Sequence, residues 1–268
     1  MNNKKLVMYD GHKIEDDSKL VKGQVKIYQK ETGKLLFEGW NKVILPGSIY
    51  TACKHFDITP KVKTPSYNDA IGLDNSVSLT PSEERDALVC LFAVGIDGCG
   101  PENSQVYDVD YSKWIAPENL VPFRYQISDN DLEGEMRNKY FGRKALPTSD
   151  RIAYYFKAFE IDPQLHQEYV DGTEIDENIY TSENTTEVKT YVELKLSVTK
   201  EDCRDFFIAT SGINDAKINT ISLLTAFPKD IEGYTYYQGI RPLTKYNFPN
   251  ESLIDLTKGI DIVYNIYY

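Results

Sequence analysis

VKTYVELKLSV, residues 188–198, decides the fold class. Val188, Thr190, Val192, Leu194, Leu196 and Val198 fall on one side of a two-residue repeat, and Lys189, Tyr191, Glu193, Lys195 and Ser197 on the other. Successive side chains of a strand point to opposite faces, so the stretch predicts a β-strand with one buried and one wet side, the pattern of an antiparallel sheet. IDIVYNIYY, residues 260–268, repeats the period: Ile260, Ile262, Tyr264, Ile266 and Tyr268 share one face. An uncovered edge strand of that composition invites aggregation, so this strand is expected to close a sheet with those five side chains inward, within the subunit or across to the next.

Other strands follow outward from these two. RIAYYFKAF (151–159), VPFRYQI (121–127) and KINTISLLTAF (217–227, ended by Pro228) read as strands, and GQVKIY (23–28) and KLLFEGW (34–40) as a hairpin around QKETG. A third short strand is expected at 43–45, then a helix capped by Ser48 with Ile49, Ala52, Cys53 and Phe56 on its buried face. Thr80-Pro81-Ser82-Glu83 has the form of a capping box and starts a short helix. VCLFAVGI after it reads as a strand buried on both faces, and GIDGCG as a turn. Thr199 to Asp202 caps a short helical turn that runs through Phe207. The sum is a single mainly β domain over 1–268, an antiparallel β-sandwich with a few short helices and long projecting loops. Three segments stand apart: an N-terminal arm at 1–22, an acidic insertion loop at 160–187 between two adjacent strands, and an aromatic-rich interaction arm at 228–255. The acidic segment holds nine Asp or Glu and no Lys or Arg.

Composition removes several functional classes. Residues 1–60 carry a net charge of +3 and the rest −14, for −11 in all. Such a surface repels a phosphate backbone, so no direct nucleic-acid partner is expected. The longest apolar run, ALVCLFAV (87–94), is too short to span a bilayer, and the N-terminal residues lack an apolar core of signal-peptide length. No membrane association is expected. GxSxG, Walker A, GxGxxG and HExxH are absent from the sequence, and His12, His55 and His166 are far apart. The expectation is a protein that is not an enzyme, with no cofactor and no small-molecule substrate. Cys53, Cys90, Cys99 and Cys203 form no CxxC and read as free, buried thiols of a reducing compartment. DNDLEGE places Asp129, Asp131 and Glu133 at alternate positions before Gly134, like the opening of a calcium loop. The twelfth position should supply a bidentate Glu and is Tyr140, so a solvated acidic turn is the favoured reading and no metal is expected.

What the sequence does emphasise is tyrosine: 20 of them, against 3 Met and 2 Trp. Tyr suits surfaces that are wet in a free subunit and dry in an assembly. Tyr155 and Tyr191 are expected merely to fill strand positions. Tyr234, Tyr236, Tyr237, Tyr246 and Phe248, in a proline-bounded connection, are the expected interaction residues.

Three stretches carry a likeness. NKVILPGSIYTACKHFDI (41–58), CLFAVGIDGCG (90–100) and RPLTKYNFPNESLIDLTKGIDIVYNIYY (241–268) resemble segments in virion structural proteins of tailed bacteriophages, those of the neck, head–tail connector and tail-end assemblies. The resemblance implies a structural subunit made in the host bacterial cytoplasm and located in the virion. Its partners would be copies of itself and portal, neck or tail subunits, assembled into a ring. A capsid decoration or baseplate subunit is the alternative among structural proteins. A β-sandwich module for glycan or peptide, using the tyrosine-rich arm, is the alternative outside them.

Overall fold

The computed structural model describes residues 7–9, 12–14, 22–60, 64–74, 77–100, 105–127, 131–169, 175, 188–210, 216–249 and 259–268. Within them the alternating stretches build a five-stranded antiparallel sheet from β3 (Lys22–Gln29), β4 (Leu35–Trp40), β11 (Gln164–Tyr169), β12 (Val188–Val198) and β15 (Ile260–Tyr267), in the order β11-β12-β15-β3-β4. The C-terminal strand is therefore central, paired within the subunit to β12 on one side and β3 on the other. Ile260, Ile262, Tyr264 and Ile266 are buried as the period requires. Tyr268 is not: it lies one residue past the ladder and is 66% exposed. At about 1.5–3 kcal/mol per fully buried large apolar side chain, this one strand anchors the sheet.

The second sheet has eight strands. Its path is β5 (Lys42–Val43), β14 (Tyr234–Asn247), β13 (Thr220–Ile231), β6 (Leu88–Gly95), β10 (Arg151–Ala158) and β8 (Arg124–Ile127). β7 (Leu120–Val121) pairs with β6, and β9 (Tyr140–Ala145) with β10. The two sheets share one core, in which Val25 and Ile262 of the first join Phe92, Val94 and Leu223 of the second. The far face of the large sheet is covered as well. Leu91, Ala93 and Phe156 pack there with Ile115 and with Tyr67 of α2 (Tyr67–Ile71). From Leu91 to Gly95, β6 is buried on both faces because it lies in the middle layer of three.

Several local expectations change. α1 (Leu45–Phe56) begins at Leu45 with Ile44 as its N-cap, so Ser48 lies inside the helix and donates its backbone N–H to the Ile44 carbonyl at 3.0 Å. Gly47 is what lets this first turn dock: a Cβ there would meet the Leu243 carbonyl oxygen at 2.1 Å. α3 (Pro81–Arg85) has the full capping box, with Thr80 and Glu83 bonding each other's backbone N–H. α5 (Arg204–Thr210) starts after the 199–203 turn, in which Cys203 takes a φ of 64°.

The two long connections also resolve differently. Residues 228–247 are strand, not an irregular arm: β13 and β14 pair from Thr220↔Asn247 to Ile231↔Tyr234. Pro228 does not end β13, because β6 stops pairing at Ala226 and a missing N–H is tolerated on a strand edge. Pro242 sits beside a break in register between Leu223 and Leu224, the other place a sheet accepts proline. Residues 250–255 lie outside the described residues. In the acidic segment, Gln164–Tyr169 forms β11 and pairs with β12. β10 and β12, which flank the segment, belong to different sheets, so it links the sheets and does not join adjacent strands. Residues 170–174 and 176–187 are outside the description. Of the N-terminal arm, β1 (Val7–Tyr9) and β2 (His12–Ile14) form a two-stranded hairpin, and Lys22 already belongs to β3.

Candidate functional site

β13 and β14 turn through Glu232 (φ 51°) and Gly233 (φ 84°), the left-handed pair that a two-residue hairpin demands. Tyr234, just past the turn, is 56% exposed. Its ring and that of Tyr236, on the same side of the strand, receive the guanidinium of Arg137 at 5.7 and 4.9 Å from their centroids. Arg137 closes α4 (Gly134–Arg137) and is itself buried, with no hydrogen-bond partner for its Nη2 among the described residues. Cation–π contact with two rings holds the cation at the hairpin's end.

The other three expected interaction residues point elsewhere. Tyr237 faces the opposite side of β14, edge-on to Phe141 with centroids 4.5 Å apart. Burial, and then the neighbouring Cys90, push its phenol pKa up to about 12. Tyr246 and Phe248 are buried in the shared core, where Phe248 stacks on Phe37 at 6.0 Å and lies tilted against Tyr246 at 6.0 Å. They are packing residues, and their place in an interaction site is withdrawn. Pairing with β13 turns Tyr246 toward the opposing sheet, a position that composition alone does not reveal.

A second exposed group was missed. Phe56, expected on the buried face of α1, is 75% exposed, with Ile58 and Leu88 about half exposed. α1 docks by its first turn, where Pro46 and Gly47 are buried. Its far end is tied to the approach to β6: the Tyr50 hydroxyl and Lys54 Nζ both donate to the Ala87 carbonyl, at 2.6 and 2.9 Å, and Arg85 pairs with Asp57 at 2.8 Å. Helical spacing shows which residues share a face, but not which turn of the helix meets the sheet.

Two of the calcium candidates, Asp131 and Glu133, border a cleft of about 420 Å³ that Arg124 and Asp205 also help to line. Asp131 is already engaged: it accepts from the Tyr154 hydroxyl and the Leu132 N–H, and Arg143 Nε lies 3.5 Å from its other oxygen. Burial first, then that bond, push the Tyr154 phenol up to about 12. Glu133 precedes α4 as its N-cap residue, and Asp129 lies outside the described residues. Among the described residues no three His, Cys, Asp or Glu side chains converge on a common point. The four cysteines are free thiols, and burial pushes Cys90 up to about 12, so it is a poor nucleophile at neutral pH. No described helix is long and apolar enough to cross a membrane.

On the wet side of the five-stranded sheet the aromatic residues form a row. His166 stacks on Tyr191 at 4.9 Å, Tyr191 meets Tyr267 at 5.1 Å, and Tyr267 meets Trp40 at 5.9 Å. The comparisons with known proteins add nothing to this geometry: no family model, no curated protein and no solved structure matches the chain.

Proposed function

We propose that the chain is a non-enzymatic structural subunit of a tailed-phage virion, assembling into a ring at the neck, head–tail connector or tail end. The observation that carries this reading is the hairpin end, where Tyr234 and Tyr236 flank a buried Arg137 next to solvent. Aromatic residues and arginine are the types enriched where protein surfaces meet. The exposed Phe56, Ile58 and Leu88 offer a second contact, and a ring needs two different surfaces on each subunit. Among the described residues the five-stranded sheet also keeps two edges, β4 and β11, to which a neighbour's strand can add.

The test is the mass of the purified chain in solution, by light scattering across a range of concentrations, and its uptake into particles. Wild type is expected to form closed oligomers or to enter particles. The double change Tyr234→Ser, Tyr236→Ser is expected to stay monomeric and folded, with its melting temperature lowered only by the loss of the two ring contacts to Arg137. A wild-type chain that stays monomeric and never enters particles overturns the reading.

A glycan-binding module has its own supporting observation, the His166–Tyr191–Tyr267–Trp40 row with Trp40 46% exposed. Retention on a polysaccharide matrix that is lost on Trp40→Ala, from a chain that is monomeric, would favour it.

A further inference from the structure

Lys157 of β10 and Asp202 of the 199–203 turn form an ion pair whose two side chains are both 0% exposed. The lysine belongs to the eight-stranded sheet, and the aspartate follows β12 of the five-stranded sheet, so the pair joins the two layers. Lys157 Nζ lies 3.0 Å from Asp202 Oδ2 and 2.7 Å from Glu160 Oε1, and donates to the Ser197 carbonyl at 2.7 Å. Asp202 Oδ1 accepts from the Tyr140 hydroxyl at 2.7 Å and lies 3.5 Å from the Arg124 guanidinium. The Thr199 N–H donates to Oδ2 at 2.9 Å. The Tyr140 ring lies beneath both cations, 4.6 Å from Arg124 and 5.5 Å from Lys157.

A salt bridge alone is a poor use of such a position. Desolvating two charges costs several kcal/mol each, roughly, and hydrophobic replacements of such pairs are often neutral or stabilising. An amine held against a carboxyl group in a dry site, with a second carboxylate touching the amine and donors on the far oxygen, is arranged for condensation.

We propose that Lys157 and Asp202 are joined by an intramolecular amide bond, Lys157 Nζ to Asp202 Cγ, formed with Glu160 as proton carrier. Glu160 takes a proton from the Lys157 ammonium and passes it to Asp202, leaving a neutral amine beside a neutral carboxyl group. The amine nitrogen attacks Cγ, and Tyr140 and Arg124 hold the negative charge that develops on Oδ1. Glu160 then moves a second proton from nitrogen to the departing oxygen, the C–O bond breaks, and one water leaves. Glu160 ends as it began, and no oxidant or external reactant enters. Burial raises Glu160, but the hydrogen bond and charge of Lys157, with the charges of Lys139 and Lys30, outweigh it and hold its carboxyl below the ordinary range. It is therefore a base at neutral pH. Its side chain is 34% exposed, so the carboxylate touches both the buried amine and solvent. The product replaces two buried charges with a neutral amide, which gives the reaction its driving force. It also closes the chain between 157 and 202 into a covalent loop, a staple that needs no oxidising compartment.

Denaturing mass spectrometry of the purified wild-type chain, intact and after proteolysis, tests this directly. The expected intact mass is lower than that of the sequence by one water, with a branched peptide joining Lys157 to Asp202. Glu160→Gln and Lys157→Arg are expected to keep that water and to give the two peptides separately. Wild-type protein that is folded and soluble but of full mass, with Lys157 and Asp202 in unlinked peptides, overturns the proposal. Because the decisive sample is the wild type, the result does not depend on any variant folding.

Discussion

Tyr264 of β15 and Thr244 of β14 meet across the two sheets, with their hydroxyl oxygens 3.4 Å apart and both side chains buried. This polar contact inside an apolar core accepts only one register. A slip of one residue in β15 would bring Val263 or Asn265 to the site and turn every isoleucine of the strand toward water.

Removal of residues 262–268 is expected to leave the chain insoluble. The deletion takes Ile262, Tyr264 and Ile266 from the core and separates β12 from β3. At about 1.5–3 kcal/mol for each large buried side chain, the lost burial alone is comparable to the ~5–15 kcal/mol by which a domain is stable. The fraction of expressed protein in the supernatant reads this out. A soluble truncation that melts at the wild-type temperature would contradict it.

The aromatic residues at the two ends of β14 should separate by burial: Phe248, just past the strand, is buried and Tyr234 is exposed. Phe248→Ala is expected to cost about 3–5 kcal/mol in chemical denaturation, the usual range for emptying a buried phenylalanine site. Tyr234→Ser, at the exposed turn, should stay within about 0.5 kcal/mol of wild type. Equal effects at the two positions would mean that the hairpin end is packed as tightly as the core.

Gly98→Ala is expected to destabilise by about 1–3 kcal/mol, the range for forcing an added methyl into a packed site. A Cβ at Gly98 would meet the Asn219 carbonyl oxygen at 2.1 Å. That oxygen cannot retreat freely, since it accepts from the Phe248 N–H at 2.9 Å, while the Asn219 N–H bonds the Gly95 carbonyl at 2.9 Å. At Gly100 the nearest atom is the movable Tyr107 hydroxyl at 3.3 Å, so Gly100→Ala should melt close to wild type.

Alkaline pH should unfold the protein cooperatively. Burial moves Tyr154 and Tyr237 from the ordinary 10.0 up to about 12 in the folded chain. The unfolded chain therefore loses these protons first. The stability that depends on keeping the phenols neutral is complete below pH 10.0 and declines as pH rises toward about 12. Ultraviolet titration should show a class of tyrosines that ionise only as the circular dichroism collapses.

Side-chain alternation was enough to read β12 and β15, the turn-rich QKETG to read β3 and β4, and the Thr80–Glu83 spacing to read α3, because these patterns depend on neighbours in the chain. Pro228 misled for the same reason. Whether a strand tolerates proline depends on the strand beside it, and local sequence carries no record of that strand. The surface role of Tyr234 and the core role of Tyr246 were indistinguishable, since both are tyrosines in one strand. Lys157 and Asp202 lie 45 residues apart, with no periodic relation to flag their meeting.

The pairing of β3 with β15 also sets an order in time. Val25 is matched to Tyr264, so almost the whole described chain is synthesised between the two. Until β15 leaves the ribosome, β3 and β4 are a lone hairpin, and isolated two-stranded hairpins are at best marginally stable in water. The eight-stranded sheet, whose central strands all precede β15, can pair first. The five-stranded sheet must then close onto it once β15 has emerged, which makes the folding slow for a reason built into the topology and leaves the early hairpin in need of protection while it waits.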